Sequence, residues 1–229
     1  MRNGISIVIP CYGSQNYIVD ILSSISEAFQ SVPIDYEVVC VVDGSPDEVA
    51  TVIREFKTDF DLKVIEFSRN FGQHNALVAG IRAAKFDHCA TIDDDGQHLP
   101  TELSKMYEKL VAGGYDLVYG RPVVEEHGWF RSLASRSVKY WLAKFGNPNA
   151  RSISALRLFK TYLRDSFSNV SDPNVQLDAL FAWSTTNVGV VEVEMKHRKV
   201  GATGYSFSKL LQYALNLVTA YSTKPLRIV

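Results

Sequence analysis

Three consecutive carboxylates, a glycine and an amide, Asp93-Asp94-Asp95-Gly96-Gln97, stand directly after the apolar run His88-Cys89-Ala90-Thr91-Ile92. Like charges at adjacent positions repel and raise one another's pKa values, so setting them at the end of a buried strand is costly unless a cation or strong donors offset it. Ligands that are all oxygen select a hard ion, Mg²⁺ or Mn²⁺. Such an ion, held by one or two carboxylates, keeps its remaining positions for water and phosphate oxygens. The chemistry this pattern supports is metal-assisted binding of a nucleotide diphosphate. The competing reading is a solvated acidic turn ahead of a helix that starts near Pro100.

Such side chains need elements to present them. Ile5 to Ile9, Tyr36 to Val42, Lys63 to Phe67, His88 to Ile92 and Tyr115 to Tyr119 are continuous apolar runs of strand length, as expected of strands covered on both faces. Between them, Tyr17 to Gln30 carries Ile18, Ile21, Leu22, Ile25 and Phe29 at helical spacing, and Leu103, Met106, Tyr107 and Leu110 repeat the pattern. Ser45-Pro46-Asp47-Glu48 offers a Ser N-cap, Pro at the first helical position and Glu three residues past the cap, which predicts a helix from Pro46 towards Phe56. Strand and helix alternating in this order imply right-handed crossovers, an α/β fold with a mainly parallel central sheet flanked by helices, and ligands outside the carboxyl ends of the strands.

After Arg121 the rhythm changes. A helical stretch rich in Arg, Lys and aromatics runs from Trp129 to Phe145, followed by Ser152 to Phe159, a helix near Val175 to Thr185 and a strand at Val188 to Met195. This half is expected to cover the sheet and shape an acceptor site. From Lys209, Leu210, Leu211, Ala214, Leu215, Leu217, Val218 and Tyr221 form a broad apolar stripe ending in Lys224-Pro225-Leu226-Arg227. That C-terminal amphipathic helix would pack on the domain or lie in a membrane interface with its cations towards head groups. With no Pro/Gly/Ser-rich linker and no internal repeat, the expected organisation is one domain over 1–208, with a nucleotide-binding half (1–120) and an acceptor half (121–208), and an appendage over 209–229.

Composition narrows the partners. A formal net charge of -1 gives a nucleic-acid partner no global electrostatic support. The three cysteines are odd in number, and two of Cys11, Cys40 and Cys89 sit inside β-branched runs, so reduced, buried thiols and a cytosolic setting are expected. Met1-Arg2-Asn3-Gly4 leads straight into a strand-like run without the succession of a secretory signal, and no stretch of about twenty apolar residues offers a bilayer span.

In a parallel sheet the strand ends converge on one crevice. The first ends in Pro10-Cys11-Tyr12-Gly13, the second in Asp43-Gly44-Ser45, the third in Ser68-Arg69-Asn70-Phe71-Gly72 and the fourth in the acidic cluster. Tyr12 offers a flat face to a nucleobase, and Asp43 can accept a hydrogen bond from a base N–H, although Asp-Gly-Ser is also an ordinary tight turn. The first turn has no Gly-x-Gly-x-x-Gly and the chain no Gly-x-x-x-x-Gly-Lys-Ser/Thr, which disfavours dinucleotide and P-loop folds. His74, His88, His98, His127 and His197 lack paired ligand spacing, which argues against zinc.

Taken in order, Ile7-Val8-Ile9-Pro10-Cys11-Tyr12, Val41-Val42-Asp43-Gly44-Ser45-Pro46-Asp47, Arg69-Asn70-Phe71-Gly72-Gln73-His74 and Asp93-Asp94-Asp95-Gly96-Gln97-His98 resemble the inverting GT-A glycosyltransferases of family 2. The resemblance covers nearly the whole chain. More narrowly, Asn70 to His74, Arg198 to Ser206 and Ser222 to Arg227 are similar to the polyprenyl-phosphate glycosyltransferases: dolichol-phosphate mannose synthase, the bactoprenol glucosyltransferases and the undecaprenyl-phosphate 4-deoxy-4-formamido-arabinose transferases. The resemblance implies a GT-A fold, a UDP-sugar donor in preference to GDP or dTDP, and a polyprenyl phosphate acceptor. It also implies peripheral attachment at the cytoplasmic face of the plasma membrane, and it leaves self-association open. Pro10 and Tyr12 would line the base pocket, Asp43 would bond the base, and Asn70, Gly72 and Asn75 would complete the nucleotide site. Asp93 would hold the ribose or a metal-bound water, and Asp95 with Gln97 would coordinate Mg²⁺ or Mn²⁺. Asp94 stands where the lipid-phosphate enzymes carry a small residue, so whether Asp93, Asp94 or both meet the donor stays open. Arg121 and Arg131 would receive the acceptor phosphate and steady the leaving diphosphate, a task suited to guanidinium, whereas Arg136 reads better as a snorkelling surface residue.

A lipid monophosphate, with a second pKa of about 6, is already an anion near neutral pH and needs no general base. A saccharide hydroxyl would need one, and Asp178, in Gln176-Leu177-Asp178, is the candidate in that case, although a helix dipole also explains an acid there. A nucleotide-sugar-binding subunit without turnover is the remaining alternative.

Overall fold

Strands covered on both faces carry apolar side chains at successive positions, and the alternation of the pleat then sends them into two separate cores. The computed structural model describes residues 2–30, 32–123, 153–173 and 175–196. In chain order these form β1 (Arg2–Cys11), α1 (Ile18–Phe29), β2 (Tyr36–Val42), α2 (Val49–Glu55), β3 (Asp61–Glu66), α3 (Gln73–Ala83), β4 (Phe86–Thr91), α4 (Glu102–Ala112), β5 (Leu117–Pro122), β6 (Arg157–Lys160), a 3₁₀ helix (Thr161–Phe167), α5 (Leu177–Ser184) and β7 (Val188–Val193). The strands make one seven-stranded sheet in the order β3-β2-β1-β4-β6-β5-β7. Ile5, Ile7, Ile9, Val38, Cys40 and Val42 face one core with α1, α2 and α4. Val8, Val39 and Val41 face the other with α3, the 3₁₀ helix and α5. The result is a three-layer α/β/α arrangement.

All pairings are parallel except those of β6, which runs antiparallel to both β4 and β5. Because β6 is flanked on both sides, β5 and β7 still point the same way as β1 to β4, and their carboxyl ends share one edge of the sheet. The mainly parallel sheet is therefore as expected, with one reversed strand that a four-residue run did not announce.

Several boundaries differ from the sequence reading for identifiable reasons. The helix expected from Pro46 begins at Val49, and Ser45 does not cap it. The Ser45 hydroxyl instead donates to Asp47 Oδ1 (2.5 Å) and accepts the Gly13 amide (2.8 Å), so a tertiary partner claims the group that would have capped. Helix α3 went unread, because Ala76, Val78 and Gly80 give its buried face little contrast with its surroundings. Arg121 lies inside β5, opposite Glu192 of β7, rather than beyond the strand end. Pro10 sits in a central strand without cost. Val8 O accepts the Ile92 amide and Cys11 O the Asp43 amide, so alternate residues face β4 and β2, and Pro10 faces β4 just past the last β1–β4 pair. Cys11, Cys40 and Cys89 are all buried and free. The Trp129 to Phe145 stretch with Arg131 and Arg136, and the helix expected from Lys209, lie outside the described residues.

Candidate active site

Loops leaving β1, β2, β3 and β4 at the common edge are tied together by side chains that reach across to backbone amides. Asp43, at the end of β2 and 3% exposed, accepts the Phe71 amide on Oδ1 (2.7 Å) and the Gly72 amide on Oδ2 (2.8 Å). It thereby holds the loop after β3, while each oxygen keeps a second lone pair for a base. Gly44 makes that contact feasible. Its φ is +56°, and a Cβ there would stand 2.2 Å from the Arg69 carbonyl carbon and 2.4 Å from the Asn70 nitrogen, so the two loops meet backbone to backbone. Asn75, in the first turn of α3, donates to Phe71 O (2.8 Å) and to Pro173 O (3.0 Å), joining this loop to the segment ahead of α5.

The three carboxylates after β4 diverge. Asp93 is half-buried and its Oδ1 accepts from Gln73 Nε2 (2.7 Å) at the start of α3, while its own amide donates to His98 Nδ1 (3.2 Å). Asp94 Oδ2 accepts the Tyr12 amide (2.8 Å). Asp95 Oδ1 accepts the Gln97 amide (3.0 Å), closing the turn through Gly96. Burial raises the Asp93 carboxyl above its ordinary range against the pull of His98 and Arg157. Burial also pushes Asp94 up to about 6 against the hydrogen bond it accepts from the Tyr12 amide. Asp95 and Gly96 open onto a cleft of about 250 Å³ shared with Tyr17 and Asp20 of α1, His98 and Lys196. The Lys196 amide donates to Gln97 O (2.9 Å), so the segment after β7 braces the acidic turn.

The donor set at this turn fits a hard divalent ion bound sparingly. Asp95 and its neighbours supply only oxygen. Among the described residues no group of three His, Cys, Asp or Glu side chains stands close enough to form a cage by itself. An ion here would complete its shell with diphosphate oxygens and water. Tyr12, just past the end of β1, is 54% accessible, whereas Pro10 within the strand is buried. Arg121 is half exposed and pairs with Glu192 (2.7 Å). An exposed pair of this kind contributes about 0–1 kcal/mol, so exchanging Glu192 for a phosphate costs little.

Asp178 differs most from its expected role. It is 5% exposed, at the start of α5, with Arg157 Nε on Oδ1 and Arg157 Nη2 on Oδ2 (2.8 Å each) and the Tyr119 hydroxyl also donating to Oδ1 (3.0 Å). Burial alone would raise its carboxyl, but the charge and hydrogen bonds of Arg157 outweigh burial and hold it below the usual range. A carboxylate so engaged is a weak proton acceptor. Arg157, with Thr91 Oγ1 (3.3 Å) and Ala155 O (2.9 Å) as further acceptors, is a centre the sequence reading missed. The available signal was a lone cation within the strand-like run Leu156-Arg157-Leu158-Phe159, which burial on both sides obliges to find a carboxylate.

Solved structures with this arrangement are GT-A glycosyltransferases. Glucosyl-3-phosphoglycerate synthase from Mycobacterium tuberculosis, in complex with Mn²⁺, UDP-glucose and phosphoglyceric acid, matches with a TM-score of 0.68 at 17% identity over 94% of this chain and 77% of its own. A TarS fragment from S. aureus in complex with UDP-GlcNAc matches with a TM-score of 0.66 at 17% identity over 95% of this chain and 66% of its own. At that identity the likeness speaks for the fold, and the fold is GT-A. The family described as Glycosyl transferase family 2 matches residues 6–168, and the chain belongs to that family. Among curated relatives it is 31% identical to a putative glycosyltransferase, CsbB, of Bacillus subtilis over 100% of this chain and 70% of that protein. It is 29% identical to the undecaprenyl-phosphate 4-deoxy-4-formamido-L-arabinose transferase of Proteus mirabilis over 99% of this chain and 70% of that protein. The chain is a glycosyltransferase.

Proposed function

We propose that this enzyme moves a sugar from a nucleotide diphosphate, UDP in preference, to a polyprenyl phosphate at the cytoplasmic face of the membrane. The reaction proceeds with inversion and depends on Mg²⁺ or Mn²⁺. The observation that carries the reading is the convergence of the β1, β2, β3 and β4 ends, joined by the Tyr12–Asp94, Gly13–Ser45 and Asp43–Phe71/Gly72 bonds. In this reading an aromatic face, an acceptor carboxylate and an oxygen metal ligand from these strand ends serve one donor. Relatives named for undecaprenyl phosphate support the acceptor class, and a GT-A neighbour complexed with Mn²⁺ and UDP-glucose supports the donor and the ion.

In this scheme Tyr12 carries the base, Asp43 and the amides of the Asn70 to Gly72 loop hold the nucleoside, and Asp93 stands towards the ribose. Asp95 and Gln97 would hold the ion, which when bound neutralises charge developing on the departing diphosphate. Arg121, with Arg131 from the basic stretch, receives the acceptor phosphate and directs it at the anomeric carbon from the face opposite the diphosphate. The acceptor is an anion near neutral pH, so no base is needed. The engagement of Asp178 with Arg157 and Tyr119 favours this scheme over transfer to a saccharide hydroxyl.

The test is transfer from labelled UDP-, GDP- and dTDP-sugars to undecaprenyl phosphate or to an oligosaccharide, with and without Mn²⁺. Asp95→Asn is expected to lower the rate by about 100-fold or more, since the charge stabilisation it removes is worth several kcal/mol. Full activity in chelator, or an unchanged rate for Asp95→Asn, overturns the metal assignment. Transfer to the oligosaccharide alone overturns the acceptor.

A further inference from the structure

We infer that Asp94 is a positioning residue that sets the nucleobase platform from the metal side of the site, and not a ligand of the ion or the donor. The inference deepens the proposed function and rests on it for the identity of the nucleotide. Chain direction is the starting point. Past Thr91, where β4 ends, the chain turns at Asp94 and Asp95, and the three carboxylates leave it in different directions. Here Asp93 turns to Gln73 of α3, Asp94 to the loop after β1, and Asp95 to its own turn and the cleft beside α1.

The loop after β1 explains what Asp94 does there. Cys11 O accepts the last ladder bond, from Asp43, and the backbone then leaves the sheet with its amides unpaired. Three of the next four amides are taken by side chains: Tyr12 N by Asp94 Oδ2 (2.8 Å), Gly13 N by Ser45 Oγ (2.8 Å) and Gln15 N by Asp47 Oδ2 (3.0 Å). Two of these clips come from the β2–α2 connection. Only Asp94, 82 positions along the chain, comes from the acidic turn, and it fixes the backbone of the residue with the exposed ring. The backbone that carries the Tyr12 ring is thus tied to the same turn that presents Asp95. Base and diphosphate ends of a donor would be held at one spacing.

A neutral amide separates this role from ligation, because an Asn side chain can still accept the Tyr12 N–H but loses the charge a ligand would need. Amide hydrogen exchange at Tyr12 is measured by NMR on the nucleotide-free wild type, Asp94→Ala and Asp94→Asn, and UDP with Mn²⁺ is titrated into each by calorimetry. The expected result is a protected Tyr12 amide in the wild type and Asp94→Asn, protection lost in Asp94→Ala, and UDP affinity that follows protection. Asp94→Ala should bind about tenfold more weakly and Asp94→Asn within about threefold of wild type, as fits loss of one hydrogen bond or its replacement by a neutral one. If Asp94→Asn keeps its protected amide yet binds UDP as weakly as Asp94→Ala, the carboxylate meets the donor or ion directly and the inference is overturned. It is equally overturned if Asp94→Ala leaves Tyr12 protected. If the wild type binds no UDP, GDP or dTDP while the protection pattern holds, the positioning role stands and the donor assignment fails.

Discussion

Arg157 carries a fixed charge between two buried leucines, and only the groups around it make that tolerable. Both oxygens of Asp178, the Thr91 hydroxyl and the Ala155 carbonyl take its protons, while Tyr119 adds a donor to the carboxylate. Removing one member of a buried pair leaves the other uncompensated, at a cost of about 3–5 kcal/mol, whereas deleting the Tyr119 hydroxyl removes one hydrogen bond of about 1.5–3 kcal/mol. Arg157→Met should therefore lower the urea midpoint far more than Tyr119→Phe. A midpoint for Arg157→Met no lower than that of Tyr119→Phe would mean that the pair is solvated and not buried. Asp95 and Gln97 stood out in the sequence because polar residues clustered where apolar ones ended. Arg157 and Asp178, in separate elements, could be matched only by a fold that brings β6 beside α5. For the same reason Ser45 was misread: its local pattern satisfied a capping rule, and its actual partner, Gly13, lies on another strand end.

Helix α3 shows how an element with a weak sequence signal is held by specific contacts. Gly80 lies against the sheet with no room to spare: a Cβ would approach Val8 Cγ1 to 2.3 Å and Val41 Cγ2 to 3.1 Å. Helix propensity alone makes Gly80→Ala stabilising by about 0.5–1 kcal/mol, while overpacking a stiff, buried β-branched neighbour costs about 1–3 kcal/mol. Packing wins, so Gly80→Ala should lower stability, and Val8→Ala should cost less in the Gly80→Ala background than in the wild type. A stabilised Gly80→Ala would show that α3 sits further from β1 and β2. At its other end the helix is closed by Arg164, which donates to the Ile81 (3.2 Å), Arg82 (3.3 Å) and Ala84 (2.5 Å) carbonyls. Arg82 returns the contact to Phe167 O (3.0 Å) and Val170 O (2.6 Å). A cation on the last carbonyls satisfies orphan acceptors and complements the helix dipole, so Arg164→Met should cost about 1–3 kcal/mol without changing the denaturant slope. The doubly covered strands were legible because apolar runs mark them. The reversed β6 and the glycine-seated α3 were not, since both depend on neighbours remote in sequence.

Burial on both sides of the sheet also makes the whole molecule acid-sensitive, through groups kept neutral inside it. Burial lowers the pKa of His74 below its ordinary value despite the attraction of Asp178, and its Nδ1 accepts the Leu177 amide (3.4 Å), which requires the ring to stay unprotonated there. The unfolded chain binds a proton at this residue near pH 6.5 while the folded chain does not. Between that value and the lowered folded one, U holds more protons than N, so stability rises with pH in this window and is lost as pH falls, by at most about 1.4 kcal/mol per pH unit for one group. Asp178 works at the more acidic end. Its folded pKa is depressed, so its contribution is complete above the ordinary carboxylate range and disappears as pH falls through the lowered value. Asp93 and Asp94, whose raised carboxyls take up protons in the folded state, act in the opposite sense, so the His74 share is read as a difference: from urea midpoints at pH 8, 7, 6 and 5, His74→Asn should remove one group's share of the slope between pH 7 and pH 5. Because His74 joins α3 to the start of α5, that slope reports on the contact between these two helices of one layer. A His74→Asn protein with the wild-type slope would mean that the imidazole is reached by water in the folded state, and that the α3–α5 contact opens in solution.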